Sequence, residues 1–265
     1  MPTVQELYEL WAGDEYSDLK KALDQSREPR GAEWLFELFA GLGPKPGQTL
    51  LDVGARDAKH AIRLEQEHGL RVTALDPLPL HCERARQAVA EAGADVEVVE
   101  GRAEELPLPD GSVDWIWCRD VLSHLDLRRA LAEFARVLTP GGSAVVYVTV
   151  PTERLDAREA AEMVEAAPLI LRTATEIERA ADGAGLVTLR VERIGSEWRE
   201  RMVEDGDWDA VADLLRLARL ERRRDELVER YGAVAVDAAR NGFLWGVYQL
   251  LGKLCPTVYV WERRA

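Results

Sequence analysis

The sequence predicts an α/β protein built on a parallel sheet with helices on both faces, and three observations predict it. From residue 48 to 150, short apolar runs alternate with amphipathic segments of helical length, the rhythm of right-handed βαβ units. The run "SAVVYVTV" is apolar throughout, as expected of a strand covered on both faces. The first two runs each end in an acid, Asp52 and Asp76, and the carboxyl ends of the strands are where such sheets bind ligands.

The elements follow in order. "QTLLDVG" (48–54) is a buried strand, and "DAKHAIRLEQEHG" (57–69) has helical spacing up to Gly69. "LRVTALDP" (70–77) is a second strand, "LPLHCERARQAVAEAG" a helix closed by Gly93, and "ADVEVVEG" a third strand. The prolines and Asp110-Gly111 of "RAEELPLPDGS" enforce a loop. "VDWIWC" is a fourth strand, in which Trp115 and Trp117 share one face as core residues. "DLRRALAEFARVL" is an amphipathic helix, "TPGG" a turn, and "SAVVYVTV" (143–150) the fifth strand.

Beyond Val150 the pattern changes. Residues 151–170 are polar and helical, and Thr173 with Glu176 forms a capping box for a helix closing at Gly183. "GLVTLRVERIG" (185–195) is a sixth strand, and "TVYVWERR" (257–264) a seventh, entered through Pro256. The expected organisation is a helical flap over 1–47, a core over 48–194, a helical lobe over 195–255 and a last core strand over 256–265. Two strands separated by such a lobe can still be sheet neighbours.

Composition narrows the function. A chain of 265 residues has room for one large domain. Hydrophobic residues at 47% and charged residues at 31% describe an ordinary water-exposed globular chain. No apolar run approaches the roughly 20 residues of a membrane span, and the start lacks the pattern of a secretory signal. The expectation is a cytoplasmic protein with no membrane partner. A net charge of −14 disfavours a nucleic-acid partner and favours a small or cationic substrate. Cys82, Cys118 and Cys255 have no metal or disulfide spacing, so they read as small core residues, and no metal site is expected.

The strand-end acids suggest a ligand. Asp76 lies 22 residues beyond Gly54, a spacing that suits ribose hydroxyls. The loop "GARDA" lacks the further glycines that let a backbone crowd a pyrophosphate, which makes a nicotinamide dehydrogenase a poor reading. S-adenosylmethionine, which has a ribose and no phosphates, needs no such crowding.

"LLDVGARDAKHAI", "VTALDP", "EGRAEELPLPDGSVDWIWCRDVLSHL" and "ALAEFARVLTPGGSAVVYVTV", in this order and spacing, resemble the motifs of class I S-adenosylmethionine-dependent methyltransferases. The resemblance covers residues 48–150 and weakens toward the last strand. It implies a Rossmann-like seven-stranded sheet with an antiparallel last strand, and S-adenosylmethionine as cofactor with S-adenosylhomocysteine as product. It further implies that Asp52 faces the methionine amino group, that Gly54 turns beneath the cofactor, and that Asp76 holds the ribose. Pro77, Leu78, Arg102 and Ala103 would then flank the adenine, Arg119 would lie beside the methionine portion, and His124 would border the transferred methyl.

Two departures from the family pattern stand out. Arg56 and Ala58 occupy positions of the second and third family glycines. Arg102 stands where an acid usually meets the adenine amino group, and arginine cannot accept that hydrogen bond. Arg56 points to solvent in the plain reading, and is the candidate partner of the methionine carboxylate because a guanidinium suits that geometry. His124 is the candidate general base, or else a local cap.

The lobe is expected to select the acceptor, with Trp245 and Tyr248 three apart on one helical face. A packing interface, to the core or in a homodimer, is the competing reading. Methyl transfer to a small-molecule acceptor is the expected function, because the sulfonium is already an activated electrophile and positioning does much of the work. A cofactor-binding scaffold that runs a cyclisation, or a non-catalytic regulatory binder, would use the same motifs. The excess of arginine over lysine and the abundance of alanine associate the chain with bacterial specialised metabolism.

Overall fold

The computed structural model describes residues 2–166 and 169–264. Positions 1, 167, 168 and 265 lie outside the described residues; they fall at the start of the expected flap, inside the stretch 151–170, and at the end of the last strand. The strands are β1 (Thr49–Val53), β2 (Arg71–Asp76), β3 (Val96–Glu100), β4 (Val113–Arg119), β5 (Leu138–Pro151), β6 (Leu186–Arg193) and β7 (Leu254–Arg263). They form one seven-stranded sheet in the order β3-β2-β1-β4-β5-β7-β6. The first five run parallel, and β7 inserts antiparallel to both β5 and β6. The fold is therefore the expected α/β sheet with an antiparallel last strand. Strand order reverses between β1 and β4, so their carboxyl ends open a crevice at the topological switch point.

Helices α1 (Val4–Ala12), α2 (Asp14–Leu23) and α3 (Ala32–Gly41) precede the sheet. Helices α4 (Lys59–His68) and α5 (Pro79–Ala92) follow β1 and β2, and α6 (Leu127–Val137) leads into β5. Helices α7 (Ala157–Ala166) and α8 (Ala174–Gly183) join β5 to β6. Four helices, α9 (Glu197–Glu204), α10 (Asp209–Arg222), α11 (Arg224–Tyr231) and α12 (Ala233–Leu250), lie between β6 and β7.

Two cores sandwich the sheet. On one face Phe36 and Phe39 of α3 pack with Ala61, Leu64, Trp115 and Trp117. On the other, Leu131 and Phe134 of α6 meet Ile177 and Ala181 of α8 over Ile116, Val146 and Trp261. Thus α3 belongs to the core, whereas α1 and α2 bury no residue and leave Tyr8 and Trp11 exposed. The expected flap therefore divides at about the α2–α3 connection.

Three boundaries differ from the sequence reading. Helix α4 starts at Lys59 because Arg56 and Ala58 have left-handed backbone that cannot begin a helix. Strand β5 starts at Leu138, which pairs with Val113 before the turn residues loop out and Ser143 rejoins opposite Trp115. Strand β7 starts at Leu254, so Pro256 lies within the strand, opposite Thr149 of β5. Among the described residues, no helix is long and apolar enough to cross a membrane.

Candidate active site

The loop after β1 keeps a glycine-rich shape without the glycines. Gly54, Arg56 and Ala58 have φ of 74°, 54° and 57°. For the two residues that carry a Cβ, this backbone costs roughly 1–2 kcal/mol each. Gly54 has no alternative, since a Cβ there would lie 2.4 Å from Val121 Cγ2. The Gly54 and Ala55 N–H groups donate to the Leu75 carbonyl at 2.8 and 3.0 Å, which ties the loop to the end of β2. The Arg56 N–H donates to Asp76 Oδ2 at 3.1 Å, while the Arg56 side chain is exposed.

Asp76 is buried beside this loop. Its Oδ1 accepts from the Leu78 N–H and meets His81 Nδ1, both at 3.0 Å. A carboxylate offers about four acceptor positions, so this acid retains room for a further donor.

At the ends of β1 and β4 the structure places two unmet groups. Asp52 is buried and its Oδ2 has no hydrogen-bond partner among the described residues. Burial pushes its carboxyl up to about 7; the Ala61 backbone N–H opposes that rise and the Asp76 charge adds to it. Asp52 pairs across the ladder with Trp117, so Arg119 stands two residues further toward the edge. The Arg119 Nε is also buried and unpartnered. Its guanidinium lies 5.3 Å from the Trp198 ring centre and 5.7 Å from that of Tyr147.

His60 sharpens the point. Trp117 Nε1, which can only donate, meets His60 Nδ1 at 3.2 Å, and Arg119 Nη1, another donor, meets His60 Nε2 at 3.1 Å. Burial and the Arg119 charge pull the His60 imidazole down to about 4, so it is neutral at pH 7. A neutral ring has one acceptor nitrogen, so it satisfies one of these two donors. Arg119 is a cation short of acceptors.

Asp120, which sequence reasoning passed over, follows directly. It turns off β4 with φ of 54°, its N–H donates to the Tyr147 carbonyl at 2.9 Å, and its Oδ1 accepts from Thr149 Oγ1 at 3.4 Å. The residue is reachable by solvent yet walled by protein, as befits the lining of a cleft, and desolvation pushes its carboxyl up to about 6. Thr149 in turn accepts from Gln249 Nε2 at 3.4 Å, and Gln249 Oε1 accepts from Arg199 Nε at 2.6 Å. A polar relay therefore runs from the lobe helices α9 and α12 to the end of β4. Trp198 of α9 packs on Tyr147 with ring centres 4.9 Å apart. An acid directly after a strand-end arginine was the available signal for Asp120; the relay, with partners 50 and 100 residues apart, left none.

The other expected residues are distributed around this centre. Pro77 and Leu78 are exposed at the start of α5, Ala103 is buried, and Arg102 points outward with Glu104 at 3.5 Å. His124 closes a short 3-10 turn after β4 and is exposed. Trp245 and Tyr248 stand apart from the strand-end acids, in a cluster with Met163, Leu244, Val247 and Leu254. Glu197 accepts from Arg30 at 2.6 and 2.8 Å and ties the chain before α3 to α9. The cysteines are free thiols, with Cys82 and Cys118 buried.

Comparison with known proteins agrees with this geometry. Residues 51–146 match the family described as a methyltransferase domain. An uncharacterized methyltransferase of Mycobacterium bovis is 36% identical over 140 residues, 52% of this chain and 53% of that one. The sarcosine/dimethylglycine N-methyltransferase of Halorhodospira halochloris is 34% identical over 145 residues, 51% of this chain and 50% of its own. The chain thus spans about half the length of these curated relatives. Among solved structures, the [4+2]-cyclase SpnF superposes with a TM-score of 0.68 at 21% identity, covering 100% of this chain and 97% of that one, a likeness of fold. Residues 51–146 therefore carry a methyltransferase domain, the part of the chain that the family matches.

Proposed function

We propose that this protein transfers the methyl group of S-adenosylmethionine to a small-molecule acceptor. One observation carries the reading: the cleft holds a buried carboxylate oxygen and a buried guanidinium nitrogen, both unpartnered, on neighbouring strand ends. A zwitterionic amino-acid end supplies the complement of each, an ammonium for Asp52 and a carboxylate for Arg119. This reading moves the carboxylate partner from Arg56, whose side chain is exposed, to Arg119. Asp76 takes a ribose hydroxyl through its remaining acceptor position, and Pro77, Arg102 and Ala103 border the adenine.

The bound cofactor supplies the activated methyl, and the chain supplies position and proton handling. Asp120, with its carboxyl pushed up to about 6, joins His124 as a proton acceptor at the edge where the methyl points. The negative charge of Asp120 also favours a cationic acceptor, in keeping with the chain's overall charge. Acceptor choice is assigned to the lobe, with the half-buried Trp245 as its contact residue and the buried Tyr248 bracing it from behind, and a source in bacterial specialised metabolism fits the composition.

Isothermal titration with S-adenosylmethionine tests the cofactor. Saturable binding that weakens by about ten- to a hundredfold in Asp76→Ala is expected, because the ribose loses its charged acceptor; a folded variant with unchanged affinity defeats the ribose assignment. A cyclisation is the second reading, favoured by the end-to-end superposition on the [4+2]-cyclase. Release of S-adenosylhomocysteine in step with product supports methyl transfer, whereas product formed with the cofactor intact supports cyclisation.

A further inference from the structure

A second cavity, of about 980 Å³, lies along the outer side of α6 and α8, beyond the loop after β3. Its walls are unusual in how their charges are engaged. The three acids are each held by backbone N–H groups. Glu104 Oε1 accepts from the Asp126 N–H at 3.1 Å, Asp126 Oδ1 from the Arg129 N–H at 3.2 Å, and Glu176 Oε2 from the Thr173 N–H at 2.8 Å. They cap the entries to α6 and α8 and are committed to that task.

The arginines of the same cavity are only partly engaged. Arg172 donates one Nη2 bond to the Leu125 carbonyl at 3.2 Å, and its Nε is buried with no partner among the described residues. Arg128 and Arg179 are exposed on the walls, with no ion pair among the described residues. Arg102 stands at the rim, with Glu104 at 3.5 Å. A buried guanidinium nitrogen without an acceptor costs free energy that an incoming anion recovers. Leu127, Ala132, Ile170 and Ala180 supply an apolar wall next to these donors, and the volume suits a small molecule.

We propose that this groove, which adjoins the cofactor cleft at Arg102 and His124, is a binding site of its own for a small molecule that carries a phosphate or carboxylate group on an apolar body. Arg172 holds the anionic group in a planar, two-donor fashion, and Arg128 and Arg179 close around it. The segment Ile170–Arg172 forms the upper lip, fixed by the Ile170 N–H donating to the Ser123 carbonyl at 2.7 Å. His124 also lines this cavity, so an occupied groove adjoins the turn that follows β4.

The test is isothermal titration of the full chain with hexyl phosphate and, separately, with hexanoate. Saturable binding of either probe at millimolar concentration or tighter is expected, and the tighter of the two identifies the anion. Arg172→Ala should weaken it by about tenfold or more. Should that variant fail to fold, Arg128→Ala combined with Arg179→Ala, both at exposed positions, should do the same. Arg119→Ala should leave it unchanged. Absence of saturable binding up to about 20 mM of either probe overturns the proposal. So does binding that survives the arginine substitutions in folded protein, or that is lost in Arg119→Ala, which would put the anion in the cofactor cleft.

Discussion

The carboxyl edge of β1, β2 and β4 and the helical lobe between β6 and β7 are built on opposite principles. At the edge, functional groups hang from strand ends whose register is set by the backbone ladder, and polar atoms are left buried and unpaired. In the lobe, helices expose large apolar residues, Trp208 at 65% and Val234 at 85%. They connect to the edge through side chains: Trp198 on Tyr147, and Arg199 through Gln249 and Thr149 to Asp120. A rigid frame can hold an unmet charge ready for a ligand, because strand ends tied on both sides cannot move to satisfy it. A helical attachment adjusts by repacking, which suits it to differ between proteins that share the same edge.

The largest expected effect separates stability from binding in the lobe. Tyr248 is buried among Met163, Leu244 and Leu254, so Tyr248→Ala should cost about 3–5 kcal/mol of stability. Chemical denaturation measures this, and cofactor affinity in the folded variant should stay within about twofold. A stable Tyr248→Ala protein with a raised Michaelis constant for the acceptor would mean that the lobe contacts substrate there instead of bracing the fold.

At the edge the reverse pattern is expected. Arg119→Ala should weaken S-adenosylmethionine by about a hundredfold while leaving methylthioadenosine, which lacks the carboxylate, within about twofold. Folding should be retained, because the variant also removes the donor facing His60. Equal losses for both ligands would make Arg119 a structural residue.

Proton linkage sharpens the comparison further. Asp52 titrates at about 7 without ligand, and an ammonium partner favours its ionised form. Binding below that pH must therefore release a proton, so affinity should rise from about pH 5 to 7 and level off above it. Asp52→Asn should flatten that rise; a profile identical to the parent's would remove Asp52 from the amino-group site.

The smallest effect concerns the loop. Arg56→Gly relieves a left-handed residue at an exposed position and should stabilise the protein by about 1 kcal/mol. A thermal melt reads this, and cofactor affinity should hold within about twofold. A large loss of affinity would return the methionine carboxylate to Arg56.

Much of the edge was legible because its information is local. Asp52, Gly54 and Asp76 sit at fixed offsets from apolar runs, and Trp115 and Trp117 share a face by strand periodicity alone. At Arg56 the side chain and the backbone serve different ends, which the sequence alone does not separate: the N–H donates to Asp76 while the guanidinium is exposed. Asp120 was hidden by ordinary company, one acid beside one arginine. Its raised carboxyl comes from the walls around it, which no neighbouring residue in the chain announces.

The sequence by itself determined the strand–helix alternation, the acids at the ends of the first two strands and the motif order of the methyltransferase domain, since apolar period and turn residues act over a few positions. Tertiary structure decided that Asp52 and Arg119 are each left with a buried, unpaired atom on neighbouring strand ends, that His60 cannot satisfy both donors it faces, and that Glu197 anchors the N-terminal segment. Each of these depends on groups brought together from distant segments, where burial removes water as the alternative partner and turns an ordinary side chain into a demanding one.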